Sequence, residues 1–351
     1  MPELDLETIA RMTLDLCAID STTGHEARLL PLLRERFQAL GAQVRLQPVD
    51  GGRSNLLALW DRPRVLFSTH LDTVPPYLPP RREGNVLWGR GTCDAKGILA
   101  TMAEAIRVLL EGGCRDIAFL GVVGEETDSP GARQALELRE LLGPVEAVIN
   151  GEPTGNRLAT GQKGALHLRL RCHGRAAHSG TPEEGVNAAF PLLDWIGAIR
   201  ALPLPEDPRL GPEVWNLGTL KAGRAINVVP DEGEADLFAR TVPGTTFRED
   251  VLRLRPDLGE VELVFAREPE YFPEVAGFPT APVPFGSDAH TLRKLARDHF
   301  VVLTGPGSIR VAHTSEEHLD LAEALAGAEQ YVALARAFLA RPVAGDAAAG
   351  T

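Results

Sequence analysis

The chain is 351 residues long with 44% hydrophobic residues, and its 36 basic against 48 acidic side chains give a formal net charge of −12 at pH 7. That length allows two domains with cores of their own, and that charge argues against nucleic acid or an anionic membrane as partner. Four cysteines, Cys17, Cys93, Cys114 and Cys172, lack Cys-x-x-Cys spacing, which suits reduced thiols and a cytoplasmic location.

The first residues place Glu3, Asp5 and Glu7 ahead of a helical pattern, with no basic or apolar leader. No signal peptide is expected, and no apolar run reaches membrane length. From Val44 to Asn150 strand-like and helix-like segments alternate, the pattern of a largely parallel sheet wrapped by helices. The apolar run that starts at Arg64 ends in His70 and Asp72. Residues two apart on a strand share a face, so Asp72 is placed to orient the His70 imidazole. A glycine-rich stretch, residues 89–97, then carries Asp94 to the start of an amphipathic helix over 98–110, and its glycines let the backbone pass close to a charged centre. A strand-like run from Asp116 ends in Glu125 and Glu126. On an extended backbone these two carboxylates diverge, so that one can hold a metal while the other faces a water. Glu152 follows another strand-like run, 145–150, in the turn 151–154.

Past residue 164 the pattern changes to strand (165–172), helix (187–200), strands (214–220 and 226–238), helix (246–254) and strand (261–266). This βαββαβ order predicts a small ferredoxin-like α+β unit with one sheet face uncovered. It is expected as an insert, 163–268, in a discontinuous α/β catalytic domain formed by 1–162 and 269–351. The α/β style returns with a helix over 287–297, a strand over 300–304, His313 and a long helix over 315–339. After Val343 the chain is rich in Ala and Gly and reads as a frayed tail.

Taken singly, His70 reads equally well as a satisfied core histidine, Asp94 as a helix cap, Glu125 and Glu126 as a solvated pair, and His313 as structural. Their recurrence at the ends of successive strand-like runs favours one active site, because open α/β sheets place their sites at the carboxyl ends of strands. His25, His167, His173, His290, His299 and His318 lack such surroundings and are read as structural or surface residues. Cys93, beside Asp94, is read as buried and inert.

Five motifs carry a resemblance: His-x-Asp-Thr-Val-Pro at 70–75, Gly-Arg-Gly-x-x-Asp-x-Lys-Gly at 89–97, Glu-Glu at 125–126, Gly-Glu-Pro-Thr at 151–154 and Ala-His-Thr at 312–314. In this order they resemble the M20 family of dinuclear zinc amidohydrolases, which includes acetylornithine deacetylase, succinyl-diaminopimelate desuccinylase, aminoacylase and the glutamate carboxypeptidases. The resemblance implies that His70 and Glu152 hold one metal, that Glu126 and His313 hold a second, that Asp94 bridges them and that Glu125 is the general base. Two ions roughly 3.5 to 4 Å apart polarise an amide carbonyl and lower the pKa of a shared water. Histidine and carboxylate ligands without cysteine suit Zn²⁺, and Co²⁺ or Mn²⁺ also fit.

In the insert, the stretch around His178 resembles the family segment whose histidine reaches into the active site, in dimeric members from the partner subunit. A homodimer is thereby implied, with His178 stabilising the oxyanion; the plainer reading is that His178 caps the helix near Asn187. Asn227 and Arg240 match positions that grip the substrate carboxylate in relatives, a task suited to the planar fork of arginine. The plainer reading of Arg240 is a surface arginine. Gly286 and Ser287, followed by Asp288, resemble a loop lining the substrate pocket. His290 stands where desuccinylases usually carry Arg, which speaks against a diaminopimelate substrate. The implied activity is metal-dependent hydrolysis of a small N-acyl L-amino acid of the acetylornithine deacetylase type. An exopeptidase acting on short peptides is the alternative, and a catalytically inactive relative that binds metal or metabolite is a remote third.

Overall fold

The structure, a computed structural model, describes residues 2–143 and 145–341. The tail expected after Val343 lies outside them. The chain divides into two compact units. One comprises the residues up to Ala159, Phe272–Ala281 and those from Ser287 onward; the other comprises Thr160–Tyr271 and Pro282–Gly286.

The first unit is built on a six-stranded sheet. Ser54–Leu59 runs antiparallel between Gln43–Pro48 and Ile117–Val122. From there Ile117–Val122, Val65–His70, Ala147–Asn150 and Val301–Leu303 lie side by side and parallel. Every residue of Val65–His70 and of Ile117–Val122 is buried. Parallel strands covered on both faces read as continuous apolar runs, which is why these two were visible in the sequence without alternation. Phe67 and Phe119 are partners on adjacent parallel strands and point the same way. Phe119 stacks on Phe37 of the helix Leu30–Ala39 at 4.7 Å, and Phe67 meets Tyr331 of the helix Leu321–Leu339 edge-on at 6.2 Å. The helices Leu6–Cys17, Lys96–Glu111 and Leu321–Leu339 pack on one another. The chain leaves Val65–His70 for the neighbour on one side, Ile117–Val122, and later takes the neighbour on the other, Ala147–Asn150. The carboxyl ends of these three strands therefore surround a topological switch point, where open α/β sheets form crevices.

The second unit is a four-stranded antiparallel sheet in the spatial order Val214–Ala222, Glu232–Arg240, Ala165–His173, Gly259–Arg267. With the helices Ala189–Arg200 and Phe247–Arg253 between strands, this is the ferredoxin-like arrangement. Burial alternates along Ala165–His173 and Glu232–Arg240. Leu168, Leu170, Ala235 and Leu237 pack with Trp195, Ile199 and Phe247 into a core. The other sheet face carries a charged ladder in which Arg169 pairs with Asp236, and Arg171 with Glu234 and Glu262.

Three elements differ from their sequence expectation. The strand expected from Ile226 begins only at Glu232, because Pro230 has no N–H to give a ladder and the Val229 N–H goes to the Ala177 carbonyl instead. The last long helix begins at Leu321, not at Ser315: His318–Asp320 pairs with Val86–Trp88 as a strand, and the Asp320 carboxylate caps the Ala322 and Glu323 N–H groups. The helix expected over 287–297 is regular only over Ala289–Leu292 and continues as 3₁₀ turns.

Candidate metal centre

His70 is the last residue of its strand and is 1% exposed. Its Nδ1–H donates to the Asp72 carbonyl oxygen at 2.9 Å, and a carbonyl can only accept, so the tautomer is fixed with Nε2 facing Asp94 Oδ1 at 2.9 Å. Asp72 thus orients the ring through its main chain, while its carboxylate stands 3.6 Å from Nδ1. That carboxylate accepts from the Thr23 hydroxyl at 2.9 Å and from the N–H groups of Glu125 and Glu126 at 3.1 and 3.2 Å. One side chain therefore holds the turn that carries both glutamates.

That turn is not the extended backbone the sequence suggested. Gly124 takes φ +75° and its carbonyl accepts the Ser129 N–H at 2.8 Å, closing a loop around Glu125 and Glu126. Asp94 does not cap the following helix either. Lys96–Glu111 is preceded by Ala95 without a side-chain cap, and the Asp94 oxygens turn to the histidines instead: Oδ1 to His70, and Oδ2 to His313 Nε2 at 3.3 Å. His313 Nε2 also lies 3.1 Å from Glu126. Glu152, just past the end of Ala147–Asn150, is 5% exposed, and its Oε1 has no hydrogen-bond partner.

Two groups result, His70 with Asp94 and Glu152, and Asp94 with Glu126 and His313, each with candidate ligand atoms within 4.8 Å of one another. Asp94 belongs to both. All five residues lie in the first unit. The electrostatics match a site built for cations. Burial pushes the Glu125 carboxyl well up, reinforced by the charge of Asp288 and Glu126 and opposed by His70. Burial likewise raises Glu152, with Glu125 adding to it. Asp94, although buried, is held below its usual range by hydrogen bonds from His313 and His70. Burial alone would lower His70, but the carboxylates of Asp72 and Asp94 outweigh this and raise it. Hydrogen bonds to Asp94 and Glu126 lift His313 to about 10. The orphaned Glu152 oxygen, the shared carboxylate and the two histidines make a donor set that fits two divalent ions.

His313 would have to give up its proton to hold a cation in the second group. Because that proton leaves near pH 10, affinity of the metal-free protein for Zn²⁺ is expected to rise from about pH 6 to about pH 8, approaching tenfold per unit for each proton released. Competition titrations with a chromophoric chelator check this. A flat profile would mean that His313 is not a ligand.

The model for peptidase family M20/M25/M40 matches residues 66–337. The chain belongs to the M20 peptidase family. A peptidase M20 domain-containing protein of Schizosaccharomyces pombe is 32% identical over 328 residues, covering 90% of this chain and 81% of its own length. A probable carboxypeptidase of Aspergillus terreus is 35% identical over 352 residues, 88% of this chain and 81% of that one. Among solved structures, a tripeptidase of Staphylococcus aureus superposes with a TM-score of 0.78 at 22% identity, covering 95% of this chain and all of that one. An M20 metallo-carboxypeptidase of Sulfolobus solfataricus gives 0.71 at 16%, covering 96% and 99%. M20 proteins hydrolyse amide and peptide bonds with divalent metal, and this chain is an M20 hydrolase.

The remaining M20 candidates lie mostly in the second unit and fall into two groups. His178 is exposed and its Nδ1 accepts the Gly180 N–H at 3.0 Å, so the proton sits on the outward Nε2. It does not cap the helix at Ala189, whose N–H is taken by Asn187. Asn227 is its neighbour, accepting the Ser179 N–H through its carbonyl while Val228 bridges to His178. Arg240 and Gly286 form the other group: a Cβ built on Gly286 would meet Arg240 Nη1 at 3.4 Å and Arg267 Nη1 at 3.5 Å. The strand Glu232–Arg240 separates the two groups, since Glu232 pairs with His173 at the end near His178. The eight steps from Glu232 to Arg240 span roughly 27 Å. Ser287 belongs to the first unit, is fully buried, and accepts the Ala289 N–H through its hydroxyl.

Among the residues around Asp72 and Glu125, two contributors escaped the sequence reading. Thr23 holds Asp72, and Asp288 raises Glu125. Asp288 was visible only as the end of a Gly-Ser-Asp motif, and Thr23 in the run Ser21-Thr22-Thr23 carries no signal for this role.

Proposed function

We propose that this M20 hydrolase is a dinuclear exopeptidase of carboxypeptidase type, cleaving the amide bond of a C-terminal residue that carries a free carboxylate. The observation that supports it most is the pair of ligand groups joined by Asp94 with Glu125 beside them. Two divalent ions, which His70 with Glu152 and Glu126 with His313 would hold and Asp94 would share, would polarise the carbonyl and acidify a water there. Glu125 would take the proton of the attacking water and deliver it to the leaving amine. Asp72 holds Glu125 in reach through the turn N–H bonds. Arg240 meets the substrate carboxylate, a pairing its planar fork favours. Relatives at 30% identity or more bear the name carboxypeptidase, which weights this reading over the acetylornithine-type deacylase. The deacylase uses the same residues and differs only in the acyl group beyond the scissile bond, so it stays as the second reading.

His178 and Asn227 are assigned to the substrate as well, His178 as the oxyanion donor. A two-residue peptide spans about 7 Å, far less than the separation of the two groups along their strand. The proposal therefore uses two copies, one supplying Arg240 and Gly286 and the partner supplying His178 and Asn227. Sedimentation showing a fully active monomer would remove this part.

The test is a panel of N-blocked dipeptides with free or amidated C-termini, alongside N-acetyl amino acids, offered to Zn²⁺- and Co²⁺-loaded protein. Cleavage of the free acids, abolished by chelator and lost on amidation, is the expected result. Cleavage confined to N-acetyl amino acids would replace the peptidase reading with the deacylase one. Turnover that chelator leaves untouched would end both.

A further inference from the structure

Glu317 lies four residues beyond His313 and is 1% exposed. A carboxylate that deep is costly unless its oxygens are paired. Oε1 accepts the main-chain N–H groups of Gly91, Asp94 and Cys93 at 2.8, 3.1 and 3.2 Å. Oε2 accepts from the guanidinium of Arg90, itself 2% exposed. The main-chain carbonyl of Glu317 takes the Gly89 N–H at 3.0 Å. Residues 89–94 are thus folded around one glutamate.

The loop needs such a centre. Asp94 has no helix-capping bond to steady it, and its carboxylate contacts are to His70 and His313, the groups it is to share metal with. What fixes its main chain at the amide is Glu317. Packing beyond leaves no slack: a Cβ on Gly97 would stand 2.0 Å from the Thr92 carbonyl and 2.7 Å from Leu319. Leu319 sits in the short strand that follows Glu317 and pairs with Val86–Trp88. The segment bearing His313 and the loop bearing Asp94 are therefore joined by one buried carboxylate and a short ladder.

We propose that Glu317 is the positioning residue of the metal centre: it fixes the main chain of Asp94 against the segment of His313 and so sets both ligand groups at once, without itself holding metal. The proposal rests on the dinuclear reading above. Ligand-orienting partners outside the coordination sphere commonly change metal affinity by about 10- to 100-fold when removed, and here the shared ligand is the one displaced. Both ions, not one, lose affinity.

The experiment is a Co²⁺ and Zn²⁺ titration of metal-free full-length protein, read by competition with a chelator and by the visible Co²⁺ spectrum, with thermal unfolding alongside. Glu317→Gln keeps an acceptor for the amides but loses the charge facing Arg90, and Glu317→Ala keeps neither. Expected is a loss of about 10-fold or more for both ions in the Gln variant, larger in the Ala variant, with an altered Co²⁺ spectrum. Glu146→Gln, which breaks the Arg64–Glu146 pair at the other end of the Val65–His70 strand, controls for stability alone and is expected to lose melting temperature with affinities unchanged. Cooperatively folded Glu317 variants with wild-type affinities and spectrum overturn the proposal. If the Gln and Ala variants do not fold, Glu317→Asp, which must draw the loop toward a shorter side chain, is read the same way. A wild-type protein that takes up no pair of ions would overturn the dinuclear reading instead, so the two failures are distinct.

Discussion

Glu125→Gln is expected to lower turnover by a factor of about 10² to 10⁴ while leaving the metal content unchanged. The substitution preserves the shape and leaves both ligand groups intact, since neither contains Glu125. What it removes is a carboxyl whose proton affinity is set high by burial and by the nearby charge of Asp288 and Glu126. A base of ordinary carboxylate strength takes a water proton poorly and returns it readily; raising its affinity moves it toward the pH at which the reaction runs. A second readout follows from the same shift. A carboxyl whose folded pKa is raised costs nothing below its ordinary value of 4.5 and costs progressively more as the pH climbs toward the folded value, because the unfolded chain ionises first. Metal-free Glu125→Gln is therefore expected to melt above the metal-free wild type at neutral pH and level with it below about pH 4. Turnover is measured with metal-loaded protein and metal content by elemental analysis after dialysis. Metal lost together with activity would make Glu125 a ligand and reassign the base.

The candidate ligands and Glu125 were legible because they break a local pattern. An apolar strand has no reason to end in His70 and Asp72, nor a turn after Ile117–Val122 to begin with two glutamates. What was misread is how they are held. Asp72 was expected to orient the ring from the same strand face; it is the Asp72 carbonyl that accepts from the ring, while its carboxylate secures the Glu125–Glu126 turn. Asp94 before a helix has the signature of a cap, and only the tertiary fold shows its oxygens going to His70 and His313. Glu317 was not visible at all: four of the five groups it accepts from are main-chain amides, which every residue but proline possesses. The ferredoxin-like unit was legible from its element order, and the start of its third strand was not, because Ile226 looks like strand and is fully exposed. The opposite placement of His178 and Arg240 needs the register of Glu232–Arg240 against Ala165–His173, which no spacing along the chain encodes.

Asp94→Asn is expected to reduce bound metal from two ions to less than one and to take turnover below detection. The effect follows from the sharing itself. His70 and Glu152 appear in one group, Glu126 and His313 in the other, and Asp94 in both. An amide side chain keeps the size of the carboxylate and the main-chain bond to Glu317, so the loop survives, but it offers one neutral oxygen where two anionic ones faced two histidines. Each cation would then lose a charged ligand, and the repulsion between the two, which a shared carboxylate would screen, would be left uncompensated. Single substitutions outside the bridge act on one group only: His313→Ala and Glu126→Gln are expected to retain about one ion, and His70→Ala the other. Elemental analysis of the four variants after dialysis against a weak chelator separates this pattern from two independent sites. Under independence Asp94→Asn would cost one ion, as the others do, and a full ion retained by Asp94→Asn would show that its carboxylate serves a single metal.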